Sequence, residues 1–569
     1  MLQIPAAQTA LARKVLHSIE KNIDGRIEFS DMTFVPFNGL VIKNIAIIDD
    51  NPLQGNPRVD TLFNAETVAA RFTLQGLLSQ NGIQLRDVEV EHARFALVNE
   101  SGEYTSNIAR IFRLKPPEEE KEKKEGDVFS IRNVSVKDFN FRMIDRTGKP
   151  VEKPDFGIDW GDLDLIADIE GSDLKMSGGV MSGHAKTVRV REKSGLDATL
   201  SGEASVGNGR TAITGLRLRD ASSNLSVPEL TLSYNGTEDF SDFVDKVRIN
   251  GELGRSTLAF KTLSYFVPSF KDNGIVADIN SGRVSGPVNN LRVYDLNFKD
   301  RTSGFGGTAN VALNNVTDIS NMGLNTELKD FTFTTDGLGG FLSQWIPGKP
   351  ISLGNLAKGE TFRFNGSTSG SLADLKVNGT LDSPSGTARA DLNIRDIVST
   401  APMRVNGDLV TDNVDVGRFI GKDFIGPVSL HTGINATLGK GAPAVGIDSL
   451  RIDRLNLLGY DYSDIHATGK YEDNAFDGRI ICNDPNINFM FQGLFNLSPN
   501  SDNALYRFYA SLGYADLHAL NIDKREISRV SLGSINADFV NVPQRGLIGR
   551  VDAEDLMLEI RYLLKQAIN

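Results

Sequence analysis

Apolar residues recur along this chain in steps of two and three. One stretch carries Ile83, Leu85, Val88, Val90, Phe95 and Leu97, a second Ile131, Val134, Val136, Phe139, Phe141 and Met143, and a third Val288, Leu291, Val293, Leu296 and Phe298. Weaker copies run through Leu40, Ile42, Ile45 and Ile47, and through Ile447, Leu450, Ile452, Leu455, Leu457, Tyr460 and Tyr462, with a fragment at Leu372, Leu375 and Val377. A step of two keeps side chains on one face of a strand. A step of three throws the next pair to the other face unless a bulge or corner intervenes. The spacers are turn-prone or charged: Arg86-Asp87, Arg132-Asn133, Lys137-Asp138 and Asn289-Asn290. The pattern therefore predicts strands that bend at intervals with the apolar side held inward, and a sheet that curls into a trough. A two-layer sandwich with both faces partly buried is the competing expectation.

Between these phrases lie hairpin-like strands at Thr199 to Val206, Lys246 to Leu253, Thr308 to Leu313, Thr361 to Ser369 and Val377 to Leu381. Turn signals punctuate them: Gly207-Asn208-Gly209, Asn235-Gly236, Asn365-Gly366 and Asn378-Gly379. Such spacing describes a meander of short strands, not βαβ units. Helical patches at Asp239 to Val247, Leu258 to Val267, Leu338 to Trp345 and Val414 to Ile420 are too short to form a domain, and are expected to plug or cover the sheet.

The chain opens with a different period. Ala7, Leu11, Val15, Ile19 and Ile23 fall every four residues, with Pro5 suited to a first turn and Gly25 to a stop. An amphipathic helix over residues 1–24 is expected, capping the sheet, with Lys14, Lys21 and Arg26 able to approach anionic headgroups. The run from Pro116 to Gly126 is proline-led, charged and without an apolar face, so residues 116–127 read as a flexible solvated loop. The short apolar stub Met1 to Pro5 and the abrupt end at Leu563 to Asn569 suggest a piece of a longer protein or a reading frame opened late, with an in-frame apolar stretch expected upstream.

Composition narrows the function classes. Gly contributes 55 of 569 residues, which favours turns and β structure. The net charge of −12 argues against nucleic acid as the main partner. Cys482 is the sole cysteine, so neither an intrachain disulfide nor a cysteine-based metal cluster can form. No run of 18 apolar residues is present. The six histidines lack zincin spacing, and neither a GxSxG elbow nor a Walker A lysine loop occurs. Gly304-Phe305-Gly306-Gly307 reads as a turn, since no helix start follows it. Asp159, Asp162, Asp164 and Asp168 resemble a ligand cluster, but Ile166 breaks the spacing of a calcium loop and a solvent-facing strand edge is expected. Asn-x-Ser/Thr triplets, among them those at Asn133, Asn235, Asn315, Asn365 and Asn378, are expected by chance in so Asn- and Thr-rich a chain. Nothing in the sequence argues for an enzyme, a metal or a cofactor.

Several phrases, in order, carry a resemblance. Leu2-Gln3-Ile4-Pro5-Ala6-Ala7-Gln8 leads into the helix; Phe37 to Ile45 and Leu85 to Val90 follow. Then come Asp239 to Val244, Leu263 to Pro268 and the phrase Gly286-Pro287-Val288-Asn289-Asn290-Leu291-Arg292-Val293, echoed at Gly370 to Val377. Over most of its length the chain resembles the N-terminal part of TamB-like proteins of the AsmA-like superfamily. The resemblance implies a long β-groove with an apolar interior, of the bridge-like lipid transfer kind. It implies a body in the periplasm, anchored in the inner membrane by a helix that would precede Leu2 and is missing from this chain. It also implies phospholipid as cargo, and a TamA/BamA-type outer-membrane barrel as partner through a C-terminal domain not present here. The expected organisation is an N-terminal amphipathic helix (1–24), an AsmA-like β unit (25–115), the charged loop (116–127) and an elongated repeating β-groove (128–569).

The two readings join in a mechanism. An acyl chain in water costs about 0.8 kcal/mol per CH₂, so carriage through an aqueous space requires a continuous apolar surface. A curled sheet supplies one while the headgroup stays at the open lip. Roughly 30 strands at about 4.8 Å would give a trough on the order of 100 Å. The expected lining is Ile83, Leu85, Val88, Val90, Phe95, Leu97, Ile131, Val134, Val136, Phe139, Phe141, Leu291, Val293, Leu296 and Phe298. The alternative function is a scaffold for outer-membrane protein assembly, offering sheet edges to unfolded strands.

Overall fold

The computed structural model describes residues 23–35, 38–49, 61–73, 83–99, 106–112, 129–146, 155–318, 321–345, 357–397, 401–438, 444–497, 504–525, 527–542 and 545–561. The helix expected over 1–24 lies outside them apart from Ile23 and Asp24, as does the charged loop 116–127. The described residues hold 31 strands and a few short helices, so the chain is mainly β. It divides into two compact units, Met1–Phe298 and Lys299–Asn569.

In the first unit, Gly25–Glu28 and Asp31–Val35 both pair with Gly39–Asp49. The sheet continues through Thr61–Phe72, Ile83–Asn99, Phe129–Asp145, Asp162–Ser177, Val180–Glu192, Asp197–Gly207, Arg210–Arg219 and Asn224–Ser233, each bonded to the next. Arg248–Leu253 and Ser256–Ala259 then share the space between Asn224–Ser233 and Val276–Gly286. Every one of these pairs is antiparallel except Ile83–Asn99 with Phe129–Asp145, which is parallel. That pair departs from the expected meander. A parallel neighbour needs a long return to the same end of the sheet, and the chain between residues 99 and 129 makes it. Part of that return is a helix, Asn107–Ile111, capped by Ser106 and fastened by the Arg110 guanidinium to the buried Asp49 carboxylate at 2.6 and 2.8 Å. Five residues are too few to leave a helical period in the sequence.

The second unit runs Gly306–Asn314, Gly323–Phe333, Phe362–Ser371, Asp374–Ser383, Gly386–Arg395, Met403–Asp415, Ile425–Leu438 and Ala444–Leu457, all antiparallel. Tyr460–Tyr462 and Ile465–Glu472 both pair with Ala444–Leu457. Ala475–Asp484, Ile487–Asn496, Leu505–Asp516 and Ile527–Val542 follow, and the last of these carries Gly546–Glu554 and Met557–Arg561. The four expected helical patches appear as Thr237–Asp242 with Phe243–Lys246, Phe260–Ser264, Thr335–Ser343 and Val416–Ile420.

The corners inferred from the three-residue steps have a common construction. Asn44, His92, Asp138, Asp295, Asp330 and Asn413 all have φ between 50° and 53°, in the left-handed region. Each follows one polar residue after a strand segment and is followed at once by the next inward residue, as in Val136-Lys137-Asp138-Phe139 and Leu328-Lys329-Asp330-Phe331. The ladders skip at Val136/Phe139, Leu328/Phe331 and Thr411/Val414. Asn and Asp tolerate this backbone better than other non-glycine residues. The skipped N–H still needs an acceptor, and the next strand supplies one. Asp138 N–H donates to Asp168 Oδ1 (3.0 Å), Asp330 N–H to Asn365 Oδ1 (2.9 Å) and Asn413 N–H to Ser429 Oγ (2.9 Å). At the upper spacers, Asn133 donates to Asp87 at 2.9 Å, joining two corners side by side. Asn289-Asn290 is a different device, the end of a 3₁₀ turn, Val288–Asn290, between two strands. Asp138→Val should destabilise the first unit by about 1–2 kcal/mol, because a β-branched residue resists positive φ, while Asp138→Asn should be near neutral; chemical denaturation of both variants measures this.

Candidate functional site

Register turns these bent strands into apolar rows. In the first unit Met32, Ile42, Val68, Val90, Val136, Ile169, Val188, Leu200, Leu218 and Leu225 are successive cross-strand partners. All ten are half-buried, and none is sealed. At about 4.8 Å per strand the row spans roughly 43 Å. Beside it run Ile27, Ile47, Phe63, Phe95, Phe141 and Leu165, with the Phe95 and Phe141 rings stacked at 5.9 Å. In a two-layer sandwich a central row would be closed by facing side chains. A row that keeps partial exposure over ten strands is the surface of an open trough.

The second unit repeats the arrangement. Leu313, Leu324, Gly370, Leu375, Ile394, Val405, Ala436, Val445, Tyr471, Phe476, Phe495, Tyr506 and Phe539 are successive partners. Glycines on the same face let strands bend without a side chain between them. A Cβ at Gly379 would lie 2.6 Å from Phe364 Cζ, and one at Gly478 would lie 2.7 Å from Phe476 Cζ. An aromatic ring folded over a strand glycine restores apolar cover without a Cβ. Towards the end of the unit the rings of Phe491, Phe495, Tyr506, Phe508 and Phe539 crowd together at 4.7–6.4 Å.

The opposite face is polar. Lys376, Asn393, Asn406 and Asn435 form one row there, and Glu89, Ser135, Glu170 and Thr187 another. Short helices lie at both ends of the strands: Thr237–Asp242 with Phe243–Lys246 follows Ser233 at the end where Arg210 pairs, and Phe260–Ser264 follows Ala259 at the other. Phe341 on Thr335–Ser343 stacks on Phe305 at 4.3 Å, and Phe419 on Val416–Ile420 meets Phe362 at 5.8 Å. In the first unit Phe243 stacks on Trp160 at 6.1 Å. The rim also holds the small sealed cluster of Tyr462, Ala515 and Leu520.

Of the residues expected to line the trough, Ile83, Leu85, Val88, Val90, Phe95 and Leu97 stand beside Phe129, Ile131, Val134, Val136, Phe141 and Met143 in the parallel pair. Phe139 partners Ala167. Ile131 is buried, Ile83 is exposed and the other residues of these two stretches are half-buried. Leu291, Leu296 and Phe298 are half-buried and Val293 is buried; they lie at and along Arg292–Asp300, bent at Asp295. Sequence reasoning missed Ile169, Val188, Leu200 and Leu218, and nearly all the second-unit row. There the inward positions alternate with Gly171, Ala185, Gly202 and Gly370, whose small size hides the period. Searching for alternation that counts Gly and Ala as inward would have found them.

The acidic quartet is dispersed among separate partners. Asp168 accepts the Asp138 amide, Asp164 the Asn140 side chain (2.7 Å) and Asp159 the Gly161 amide (3.0 Å), while Asp162 pairs with Lys193 (3.0 Å) and Arg142 (3.3 Å). Among the described residues no group of three acidic, histidine or cysteine side chains is placed to hold a metal ion. No family model, no curated protein and no solved structure matches the chain.

A buried charge sits where the rim cluster meets the sheet. Asp484 is almost fully buried and accepts from Tyr460 Oη (2.5 Å), Ser463 N and Oγ (2.9 Å each) and Asn486 N (2.9 Å). Burial raises its carboxyl, but these donors outweigh burial and hold it below the ordinary carboxylate value. Burial, with the Asp484 bond, pushes the Tyr460 phenol up to about 12. A depressed carboxylate contributes stability above its unfolded pKa, and that contribution is lost as pH falls through the lower folded value. Asp484→Ala should cost about 1–3 kcal/mol at pH 7 by orphaning its donors, with the gap to wild type closing below about pH 4; thermal melts across pH test it.

Proposed function

We propose that this chain is a bridge-like lipid transfer protein whose apolar trough carries phospholipid acyl chains. The observation that carries this reading is the unbroken half-buried row across ten strands in the first unit, with a second apolar row across thirteen strands in the second unit that runs from buried Ala436 and Tyr506 to exposed Phe495. A palmitoyl chain of about 15 CH₂ groups gains roughly 12 kcal/mol on leaving water. The rows offer it apolar contact along their length, and the open lip lets a charged headgroup stay hydrated. Along an open row, chain length and unsaturation matter little, which suits a slide more than a shuttle. The TamB-like resemblance agrees, and it adds a periplasmic setting between inner and outer membrane. Among the described residues no helix is long and apolar enough to cross a membrane.

A second reading has one observation in its favour. The last two strands, Gly546–Glu554 and Met557–Arg561, and Leu556 between them expose Leu547, Ile548, Val551, Leu556, Met557 and Leu558 by 45–70%. Each pairs with Ile527–Val542 along one edge, and an exposed apolar strand of this kind can offer its other edge to an incoming outer-membrane strand.

Lipid mass spectrometry of the purified chain separates the two. Diacyl lipid should copurify, and Val136→Asp or Ile394→Asp should lower it about tenfold or more, since one carboxylate offsets the contact of about two CH₂ groups. Lys376→Asp, on the polar face, should leave it unchanged. Capture of an unfolded β-strand peptide without any bound lipid would favour the edge reading.

A further inference from the structure

The apolar face of the first unit does not stop at the lining row. It continues to the tips of two neighbouring hairpins. Leu174 leads to Met176, which faces Met181 across a two-residue turn, and Met181 faces Val206, the last inward residue of Leu200, Gly202, Ala204 and Val206. Met176, Met181 and Val206 are 53%, 48% and 36% exposed, well above the half-buried rows behind them. The turns carry no acid: Ser177-Gly178-Gly179-Val180 is uncharged and Gly207-Asn208-Gly209 leads into Arg210.

Charge around these tips runs against the acidic chain. Residues 174–191 contain Lys175, Lys186, Arg189 and Arg191 and no acid; residues 204–219 contain Arg210, Arg217 and Arg219 and no acid. Arg189 and Arg191 are engaged with Asp197 and Asp168 lower on the sheet. Lys175 and Arg210, both exposed, flank the tips and form no ion pair with a described carboxylate. Exposed Met and Val side chains beside cations that form no ion pair, on turns without acid, have the chemistry of a segment that enters a headgroup layer.

We propose that the paired hairpin tips around Met176, Met181, Val206, Lys175 and Arg210 dock on an anionic bilayer surface and admit acyl chains sideways into the trough. The cations meet lipid phosphates, the methionines enter the acyl boundary, and the row Met176–Leu174 and Val206–Leu200 leads inward without a polar break. The sideways path rests on the trough reading; the docking surface stands apart from it.

Flotation of the full chain with vesicles of phosphatidylcholine alone, or with 30% phosphatidylglycerol, tests the surface. Binding should be at least tenfold stronger on the anionic vesicles and fall several-fold between about 0.1 and 0.5 M salt. Lys175→Gln with Arg210→Gln, and separately Met176→Ser with Met181→Ser, should each reduce flotation at least fivefold. Both pairs should still load lipid from mixed detergent micelles, because the inner rows are intact. Val136→Asp should do the reverse, floating normally and loading poorly. Equal flotation on neutral and anionic vesicles, or undiminished flotation of both double variants, would overturn the docking surface. Wild-type flotation without loading from micelles would overturn the trough while leaving the surface in place.

Discussion

The fold follows from a sheet that has one oily face and, among the described residues, no second layer to seal it. A flat sheet of that kind would expose its apolar face to water over its whole length and invite aggregation. Curling reduces the exposure without ending it, and the half-buried state of the inward rows is the result. The cost of curling falls on the backbone, which must turn corners while each ladder skips a bond.

The chain meets that cost in a uniform way. Asn, Asp or His takes the left-handed conformation at the corner, and at Asp138, Asp330 and Asn413 a polar side chain on the next strand accepts the amide that the ladder leaves free. Acidic residues that look like ligands in the sequence are therefore structural acceptors in the fold. Glycine and folded aromatic rings do the same work further along, where strands bend too tightly for a Cβ. Stability is spread over many short ladders, and sealed clusters such as that of Tyr462, Ala515 and Leu520 sit at the rim.

This division of labour matters for function. If the trough carries long apolar molecules as proposed, it cannot have a closed core along its path, and its rigidity comes from backbone bonding and corner acceptors. The polar face, rich in Asn, Asp and Arg, keeps the outside hydrated. Short helices lie at strand ends, while the tips of the hairpins at Met176, Met181 and Val206 in the first unit stay apolar and exposed.

The sequence by itself determined the β class, the bent strands and the four later helical patches. Those follow from local rules: side-chain period along a strand, and the few residue types that tolerate a corner. Only the tertiary structure decided which strands are neighbours. The parallel pairing of Ile83–Asn99 with Phe129–Asp145, the rows through Gly171, Ala185 and Gly202, and the meeting of Met176, Met181 and Val206 at one lip depend on register between strands. Register is a relation between distant segments, and small residues carry no apolar signal of their own, so neither could be read along a single strand.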